Sequence, residues 1–298
     1  MTPYASAPGL AAILVLVAMF TLGASDNLLR LVTADSSLAQ FHLLRSAFVL
    51  IMIGIAALAG FITVRPQKWG AVLARSALVT VAMILYFGCL AIIPIGIAVA
   101  GLFTAPLFVV LISVVFQGKS VGPIRWAAVA VGFGGTLLVI RPDPSDLDVV
   151  AFLPIVAGLF YAAGAVATRA WCEGESTMSL TAVFFAMLMV CGAIGSVLLS
   201  DAATGVAGFP LRGWMPVTAS TLFWIAVQSV GALIGIALLF RAYQVGDASF
   251  VAIFEYSLLI FASIWAFVLW GETVPWLAVV GMVLIAGAGA VISLRSDA

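Results

Sequence analysis

Ionisable side chains set within apolar stretches are the residues of this sequence best suited to chemistry. Asp26 and Arg30 stand four residues apart, in the order that suits an ion pair along one helix face. His42 and Arg45 follow in the next apolar stretch, and Glu255 lies in a much later one. Because an ionised group in apolar surroundings is costly, these five are candidates for binding a polar ligand or carrying a proton.

The composition shows what kind of structure must position these groups. Only 8% of the 298 residues are charged, against roughly 25% in a soluble domain, and 65% are hydrophobic. One water-facing globule of this length cannot hide so much apolar surface, so a lipid bilayer is the expected solvent. The formal net charge is zero with a single histidine, which argues against nucleic acid as a partner.

The distances between charges predict membrane-spanning helices. A helix needs about 20 apolar residues to cross a hydrocarbon core of about 30 Å. The apolar runs, each extended to the nearest turn signal, therefore predict an all-α polytopic membrane protein with ten transmembrane helices. These lie at about 9–31, 37–60, 72–93, 95–117, 124–140, 150–171, 178–200, 217–240, 248–270 and 275–294. An even number of crossings puts both termini on the same side.

Lysine and arginine predict the orientation, since positive charge in short loops resists translocation. With both termini in the cytoplasm, eight of these residues fall on the inner side and four, including Arg30 and Arg45, on the outer side. The acidic run Asp143, Asp146 and Asp148 also falls outside. A cell inner membrane is the expected location. The opening segment MTPYASAPGL has no Lys or Arg, which argues against a cleaved signal peptide.

An internal repeat relates the two halves of the chain. The loop and helix that follow Gly118 match those that follow Gly271 without a gap. The match predicts two repeats, residues 9–141 and 149–294, with five spans each. Because five is odd, the second repeat is inverted, and two inverted repeats enclose a cavity suited to alternating access. The alternative is that two apolar halves look alike through composition alone.

Two segments carry a family resemblance. They are TAPLFVVLISVVFQGKSVGPIRWAAVAVGFGGTLLVIRP in the first half and WGETVPWLAVVGMVLIAGAGAVI in the second. Both resemble the EamA-type members of the drug/metabolite transporter superfamily. Family members usually carry glutamate after the loop glycine, as Glu272 does here, whereas the first half has Lys119. The resemblance implies ten helices around a central cavity, with the fifth and tenth at the periphery, and secondary transport of small organic metabolites or drugs.

A second pattern narrows the resemblance. SDNLLRLV, with Asp26, followed by QFHLLRSAF, with Arg45, is similar to a branch that includes riboflavin and S-adenosylmethionine uptake carriers. The two side chains are expected at comparable depth in the outer half of a helical hairpin. They would form an outer gate or substrate anchor, or else a structural clamp supported by Asn27 and Gln40. Arg30, near its helix end, could instead extend to the interface.

Glu255 is the deepest acid of the second half, with Tyr256 beside it. As a carboxylate it could attract a cationic substrate, and as a carboxylic acid it could carry a coupling proton. The alternative is an ion pair with Arg241. His42 could titrate near neutral pH or act only as a hydrogen-bonding helix residue. Gln228 would either line the cavity or join helices.

Taken together, these patterns predict a secondary transporter driven by a proton or by exchange, since no GxxxxGK[ST] phosphate loop is present. The favoured substrate is a vitamin-like metabolite such as riboflavin, taken up from outside. The alternatives are an exporter of amino acids or drugs and a channel, while the single histidine disfavours a membrane-embedded enzyme. No cofactor or metal is expected, because the three cysteines show no CxxC spacing.

Aromatic and glycine residues complete the prediction. The glycine-rich fifth and tenth helices could pack within one chain or in a homodimer. Aromatic side chains that could stack on a planar substrate are Phe20, Tyr86, Phe103, Tyr161, Trp224 and Trp265.

Overall fold

Helices form all the regular structure of the described chain. The computed structural model describes five stretches, residues 7–89, 95–118, 120–141, 149–199 and 208–296, and none of them contains a β-strand. Lys119 and the acidic run at 143–148 lie outside the described residues. The helices are α1 (Pro8–Leu28), α2 (Leu38–Leu58), α3 (Trp69–Cys89), α4 (Ile95–Leu102), α5 (Ala105–Val115), α6 (Pro123–Ile140), α7 (Leu153–Ala170), α8 (Thr177–Leu198), α9 (Ala219–Val245), α10 (Ala248–Glu255), α11 (Ser257–Trp270) and α12 (Trp276–Ser296).

Nine stretches of the described chain are long and apolar enough to cross a membrane. Two of them join two helices: Ile97–Val115 combines α4 with α5, and Ala248–Trp270 combines α10 with α11. A shorter apolar helix follows at Trp276–Ile292, within α12. The chain is therefore an all-α, multi-pass membrane protein, which confirms the predicted fold class.

Capping residues explain where several helices begin. Ser37 and Gln40 form a reciprocal capping box at the start of α2. The side chains of Thr218 and Asp247 accept backbone N–H bonds at the starts of α9 and α10. Proline in the first turn begins α1, α5, α6 and α7. The largest departure from the predicted boundaries is α9, which continues to Val245.

Helices from different halves pack on each other throughout the bundle. α1 packs on α9 and α3 packs on α7, while α2 packs on α8 and α6 packs on α12. α1 also contacts α10 and α11, as α7 contacts α4 and α5. These contacts correspond between the halves when α1 is matched to α7, α2 to α8, α3 to α9, α4 and α5 to α10 and α11, and α6 to α12. The α1–α9 contact then corresponds to the α7–α3 contact, and the contacts of α1 with α10 and α11 correspond to those of α7 with α4 and α5.

Several backbone features recur at one spacing along the chain. α4 begins at Ile95 and α10 at Ala248, which are 153 residues apart, and each helix has 8 residues. Gly118 and Gly271 are also separated by 153 residues and have φ values of 62° and 68°, a left-handed conformation that favours glycine. α6 and α12 each begin five residues after that glycine. The common spacing of 153 residues thus places two helix interruptions at matching positions.

Two loops meet at the terminus side, which we define as the end of the bundle where α1 begins. The buried carboxylate of Glu175, in the α7–α8 loop, accepts the backbone N–H groups of Gln67 at 3.0 Å and Lys68 at 2.5 Å. Arg125 of α6 forms an ion pair with Asp247 at 3.3 Å on the same side. An anion thus holds the α2–α3 loop against the α7–α8 loop.

A cation holds the loops at the far side, the opposite end of the bundle. The buried guanidinium of Arg212 donates to the carbonyls of Ala34 and Ser36 at 3.0 and 3.3 Å. Gln40 exchanges hydrogen bonds with the backbone of Met215 at 2.9 and 3.2 Å. The α1–α2 loop is thereby held to the segment that precedes α9.

Candidate functional site

Two spans are interrupted near their middle, and the interruptions face each other. The first lies at Phe103, between α4 and α5, and the second lies at Tyr256, between α10 and α11. The two rings stack with 6.1 Å between their centroids and an interplanar angle of 22°. Gly132 of α6 gives Tyr256 room, because a β-carbon there would come within 2.6 Å of the ring. Interrupted helices of this kind can turn backbone groups and side chains toward a ligand.

A hydroxyl group shapes each interruption in the same way. Thr104 donates to the carbonyl of Gly101 at 2.6 Å, and Ser257 donates to the carbonyl of Phe254 at 2.6 Å. Each bond ties the residue that follows the interruption to the turn that precedes it, so a side chain satisfies a carbonyl where the regular helical pattern is broken.

A cavity of about 120 Å³ lies between the two interruptions. Glu255 and Tyr161 supply the polar part of its described wall. The rest is apolar and includes Met19, Leu22, Leu102, Phe103, Ile236 and Leu258. Since drug-sized ligands occupy pockets of at least about 300 Å³, the cavity must widen to admit one.

Glu255 ends α10 and directs its carboxylate at two tyrosines. Tyr161 of α7 donates its hydroxyl to one carboxylate oxygen at 2.8 Å, and Tyr243 of α9 donates to the other oxygen. Arg241, the alternative partner from the sequence, is exposed and lines a polar pocket on the terminus side. The ion pair with Arg241 is not formed, because the end of α9 presents Tyr243 to the carboxylate. Glu255 is therefore an acceptor held by two hydroxyl donors beside the cavity.

A second polar cluster brings Asp26, His42 and Arg45 together, nearer the far side. Arg45 donates to Nδ1 of His42 at 3.2 Å, which places the proton of a neutral ring on Nε2. The guanidinium also lies 4.7 Å from the ring centroid of Phe41. Asp26 is exposed and attracts Arg45 electrostatically, although none of the ion pairs among the described residues joins the two.

Arg30 does not pair with Asp26. Its guanidinium donates to Glu272 at 2.6 Å and lies 4.6 Å from the ring centroid of Trp270. The sequence expectation fails because α1 ends at Leu28, so Arg30 belongs to a 3₁₀ turn and loses the helical four-residue geometry. The two charged side chains are 49% and 52% exposed, and such a pair adds little to stability.

The side chains predicted to support the outer ion pair bind elsewhere. Asn27 donates to the carbonyls of Gly23 and Ala262 at 2.9 and 3.0 Å, and Gln40 bonds to the far-side backbone. Gln228 is buried in α9, 2% exposed, and its side-chain oxygen has no hydrogen-bond partner among the described residues. Its two alternative roles, lining the cavity or joining helices, both stay predictions.

Arg75 and Tyr243 are site residues that sequence reasoning missed. Arg75 counts in the sequence only as one of the positive charges of the inner side, yet it lies inside α3 and is 1% exposed. An ionisable group inside an apolar helix is a signal that could have found it. Tyr243 carries no such signal, because its approach to Glu255 depends on the hairpin between α9 and α10.

Cysteines and metal-ligating groups are dispersed in the described structure. No three His, Cys, Asp or Glu side chains of the described residues gather as a metal site requires. Cys89, Cys172 and Cys191 are free thiols. Burial raises the pKa of Cys172, which follows α7 and lies outside the membrane spans, so its reactive thiolate form is disfavoured.

Known proteins resemble this chain over different lengths. Residues 9–141 match the EamA-like transporter family. A riboflavin transporter of Rhizobium johnstonii is 29% identical over 56% of this chain and 51% of its own length. An S-adenosylmethionine uptake transporter of Rickettsia bellii is 25% identical over 64% of this chain and 62% of its own length, so the matches span only about half to three fifths of these two relatives. The pseudopaline exporter CntI of Pseudomonas aeruginosa is 26% identical over 92% of both chains.

An EamA-like transporter domain thus occupies the first half of this chain. A solved crystal structure with 18% sequence identity has the same fold as this chain, with a TM-score of 0.78 over 96% of this chain and 97% of the other. The fifth and tenth spans, α6 and α12, pack mainly on each other. This arrangement agrees with the peripheral position that the family resemblance implies.

Proposed function

We propose that this chain is a secondary transporter that moves a small organic metabolite across the membrane by alternating access. The observation that carries the proposal is the cavity between the two interrupted spans, with one carboxylate, Glu255, in its described wall. Interrupted helices near the membrane midplane form the substrate sites of many secondary transporters. Glu255 would bind the substrate or a coupling proton, and the ring of Phe103, which lines the cavity, would offer a stacking surface.

The two halves, residues 9–141 and 149–294, are proposed to be inverted repeats. The common spacing of helix starts and interruptions supports this, as does the recurrence of the interhelical contacts. With five spans in each half, the second half enters the membrane from the opposite side. The inner and outer mouths of the cavity are then related by an axis in the membrane plane, and rocking of one half against the other opens them in turn.

The chain is proposed to lie in a cell inner membrane, with its terminus side facing the cytoplasm. Basic residues are concentrated on this side, where they favour retention in the cytoplasm. They include Arg65, Lys68, Arg125, Arg169 and Arg241. The cluster of Asp26, His42 and Arg45 then lies on the outer side of the cavity, as an outer gate or first anchor for the substrate.

The favoured substrate is a neutral, flat metabolite with an N–H donor, such as riboflavin, taken up into the cell. No Lys or Arg is found among the described residues that line the cavity, so a phosphorylated or carboxylated molecule would lack a counter-charge there. Glu255 is a hydrogen-bond acceptor that an N–H group can reach. The similarity to a riboflavin transporter supports the same substrate class.

Export is the second candidate. The pseudopaline exporter aligns with this chain over 92% of both lengths, whereas the alignment with the riboflavin transporter covers about half of that relative. An exporter would accept its substrate from the terminus side, through the polar pocket that Arg241 and Gln244 line.

Counterflow in proteoliposomes tests the proposed function. Vesicles loaded with unlabelled riboflavin are expected to accumulate labelled riboflavin in a saturable way, and riboflavin phosphate is expected to compete at least about tenfold less well, because its charge finds no partner. Counterflow of amino acids, drugs or pseudopaline but not of riboflavin would favour the exporter. Flux without saturation or counterflow would indicate a channel and overturn the carrier proposal.

Ligand binding tests the site separately from transport. A metabolite panel screened by thermal shift on the purified protein is expected to contain stabilising ligands that no longer stabilise Glu255→Gln, and that stabilise Asp26→Asn and Arg45→Ala less. Variants that fold and bind every ligand normally would show that the substrate lies elsewhere.

A further inference from the structure

Arg75 is a buried cation with no direct anionic partner among the described residues. Its side chain is 1% exposed, and none of the ion pairs between described residues includes it. The Nε atom donates to the hydroxyl of Thr168 at 2.7 Å, and the guanidinium lies 3.6 Å from the ring centroid of Phe240. Its Nη1 atom has no hydrogen-bond partner within the part of the chain that the structure describes. A guanidinium cannot shed its proton in a protein, so this unsatisfied donor must act on its surroundings as a charge.

The free side of Arg75 faces the two tyrosines that bind Glu255. A small cavity of about 10 Å³, close to the volume that one water requires, is enclosed by Arg75, Tyr161, Tyr243 and Phe240 with two aliphatic residues. The charge of Arg75 interacts favourably with Cys172 first and then with Tyr161 and Tyr243. Each phenol oxygen can accept from the Arg75 side, directly or through that water, while its own O–H group donates to the carboxylate.

We propose that Arg75 is a positioning residue for Glu255, acting through the hydroxyls of Tyr161 and Tyr243. The guanidinium draws the phenol lone pairs toward itself and so directs both O–H groups at the carboxylate. Donors aligned from Arg75 to Glu255 polarise one another and strengthen the bonds to the ionised carboxylate. This inference rests on the proposed role of Glu255 in transport and adds the residue that sets its protonation.

The charged and titratable groups that act on Glu255 are few. From the neighbouring helices they are Tyr161 on α7 and Tyr243 on α9, and behind both stands Arg75 on α3. Tyr256 follows Glu255 directly and stacks on Phe103. α1 and α5, which pack against α10, line the same cavity with apolar side chains at the described positions. α6 and α12 also pack against α10: Arg125 of α6 donates to Asp247 and Ser249 at the start of α10, and the described side chains of α12 are uncharged.

An infrared pH titration of the purified protein in lipid nanodiscs tests the proposal without any substrate. The band of the protonated Glu255 carboxyl is identified by its loss in Glu255→Gln. In Arg75→Gln the proton affinity of Glu255 is expected to rise about tenfold, so that the band persists to about one pH unit higher, because the donors that favour the carboxylate lose their orientation. Arg75→Lys, which keeps the charge, is expected to stay close to the original protein.

Two further variants show whether the effect passes through the tyrosines. In a Tyr161→Phe, Tyr243→Phe background, adding Arg75→Gln is expected to move the band little further. An undiminished shift in that background, or no shift from Arg75→Gln in a folded protein, would overturn the proposal. If Arg75→Gln fails to fold, Thr168→Val tests the proposal instead, because it removes the acceptor of the Arg75 Nε group. It is expected to raise the proton affinity of Glu255 about threefold, which shifts the band in the same direction. No shift in Thr168→Val would equally overturn the proposal.

Arg45→Gln is the matched control, because it removes another guanidinium from the interior, one that bonds to His42 and makes no described contact with Tyr161 or Tyr243. In Arg45→Gln the band of the Glu255 carboxyl is expected to titrate as in the original protein. A shift as large as that in Arg75→Gln would indicate a general effect of removing a positive charge and would overturn the positioning role. The titration uses no substrate, so it is independent of the counterflow experiment. If riboflavin counterflow fails but Arg75→Gln still shifts the Glu255 band as expected, the proposed substrate is rejected and the positioning role of Arg75 is kept.

Discussion

The interruption between α4 and α5 and the interruption between α10 and α11 share a backbone but differ in chemistry. Each follows an 8-residue helix, carries an aromatic ring at the break and has a hydroxyl bonded to the carbonyl three residues earlier. The residue before the ring is Leu102 in the first and Glu255 in the second. The two interruptions therefore share their backbone features, and only the second carries a carboxylate beside its ring.

The neighbours of the two positions differ in the same sense. Leu102 lies in the apolar part of the cavity wall, whereas Glu255 meets two tyrosine hydroxyls. A buried carboxylate persists only where donors satisfy it, so Tyr161 and Tyr243 are what make the second interruption able to hold a charge. The cavity between the two interruptions thus has its carboxylate on one side only.

The largest expected effect comes from removing this asymmetry. Glu255→Gln is expected to lower riboflavin counterflow at least about tenfold, because losing hydrogen bonds to a charged group costs about 1.5–3 kcal/mol. Leu102→Met, the matched change at the first interruption, is expected to alter it less than about threefold, since volume and polarity are kept. Initial rates in proteoliposomes at equal protein content measure both, and equal losses would contradict a special role for the second interruption.

Exchanging the two residues sharpens the comparison. Leu102→Glu combined with Glu255→Leu is expected to remain inactive, because the carboxylate would arrive on the side that lacks the tyrosine donors. Recovery of counterflow in the double variant would mean that the position of the charge is unimportant within the cavity.

The next largest effect is expected where the peripheral helices approach most closely. A β-carbon at Gly135 would lie 2.6 Å from the Gly281 carbonyl, whereas Gly134 and Gly287 have open space. Gly281→Ala and Gly135→Ala are expected to destabilise the protein by about 1–3 kcal/mol through overpacking. Gly134→Ala and Gly287→Ala are the controls and are expected to be neutral or stabilising, by up to about 1 kcal/mol. Unfolding in a denaturing detergent measures these free energies, and losses of equal size at all four sites would contradict the close approach.

A smaller effect is expected at the loops of the terminus side. Glu175→Ala leaves the N–H groups of Gln67 and Lys68 without their acceptor, which is expected to cost about 1–3 kcal/mol. Glu173→Ala removes an exposed carboxylate from the same loop and is expected to be neutral within about 0.5 kcal/mol. Thermal unfolding of the two variants makes the comparison, and equal stability would show that the loop contact is dispensable.

Much of the fold could be predicted because lipid makes periodicity and charge spacing highly informative. The spans, the family and the corresponding loops after Gly118 and Gly271 all follow from local sequence. The first interruption has a local signal, because Pro106 in the first turn of α5 lacks the N–H group that a continuous helix would need. The second has no such breaker, and its surroundings are tertiary: Tyr256 stacks on Phe103 and occupies the space above Gly132.

The candidate site could be predicted only as far as its charges. Glu255 stands out in the sequence because an acid inside an apolar span is rare, but its partners come from helices far away along the chain. For Arg30, the sequence predicted the wrong partner. The four-residue spacing suggested an ion pair with Asp26, but α1 ends at Leu28 and Arg30 pairs with Glu272 instead. Spacing within one helix is local information, and partners across helices are not.

The smallest expected effect concerns the hydroxyls that make the two interruptions alike. Thr104→Ala and Ser257→Ala each remove a bond to a carbonyl that also accepts a backbone N–H group, so each is expected to cost only about 0.5–1 kcal/mol. Thr21→Ala is the control, because the Thr21 hydroxyl bonds to the Val17 carbonyl within the continuous helix α1 and shapes no interruption. Its stability is expected to change by less than about 0.5 kcal/mol. Unfolding in a denaturing detergent measures the stability of all three variants. A large loss of stability in Ser257→Ala with none in Thr104→Ala would show that only the second interruption depends on its hydroxyl. The two interruptions would then correspond in backbone geometry but not in the energy of their hydroxyl bonds.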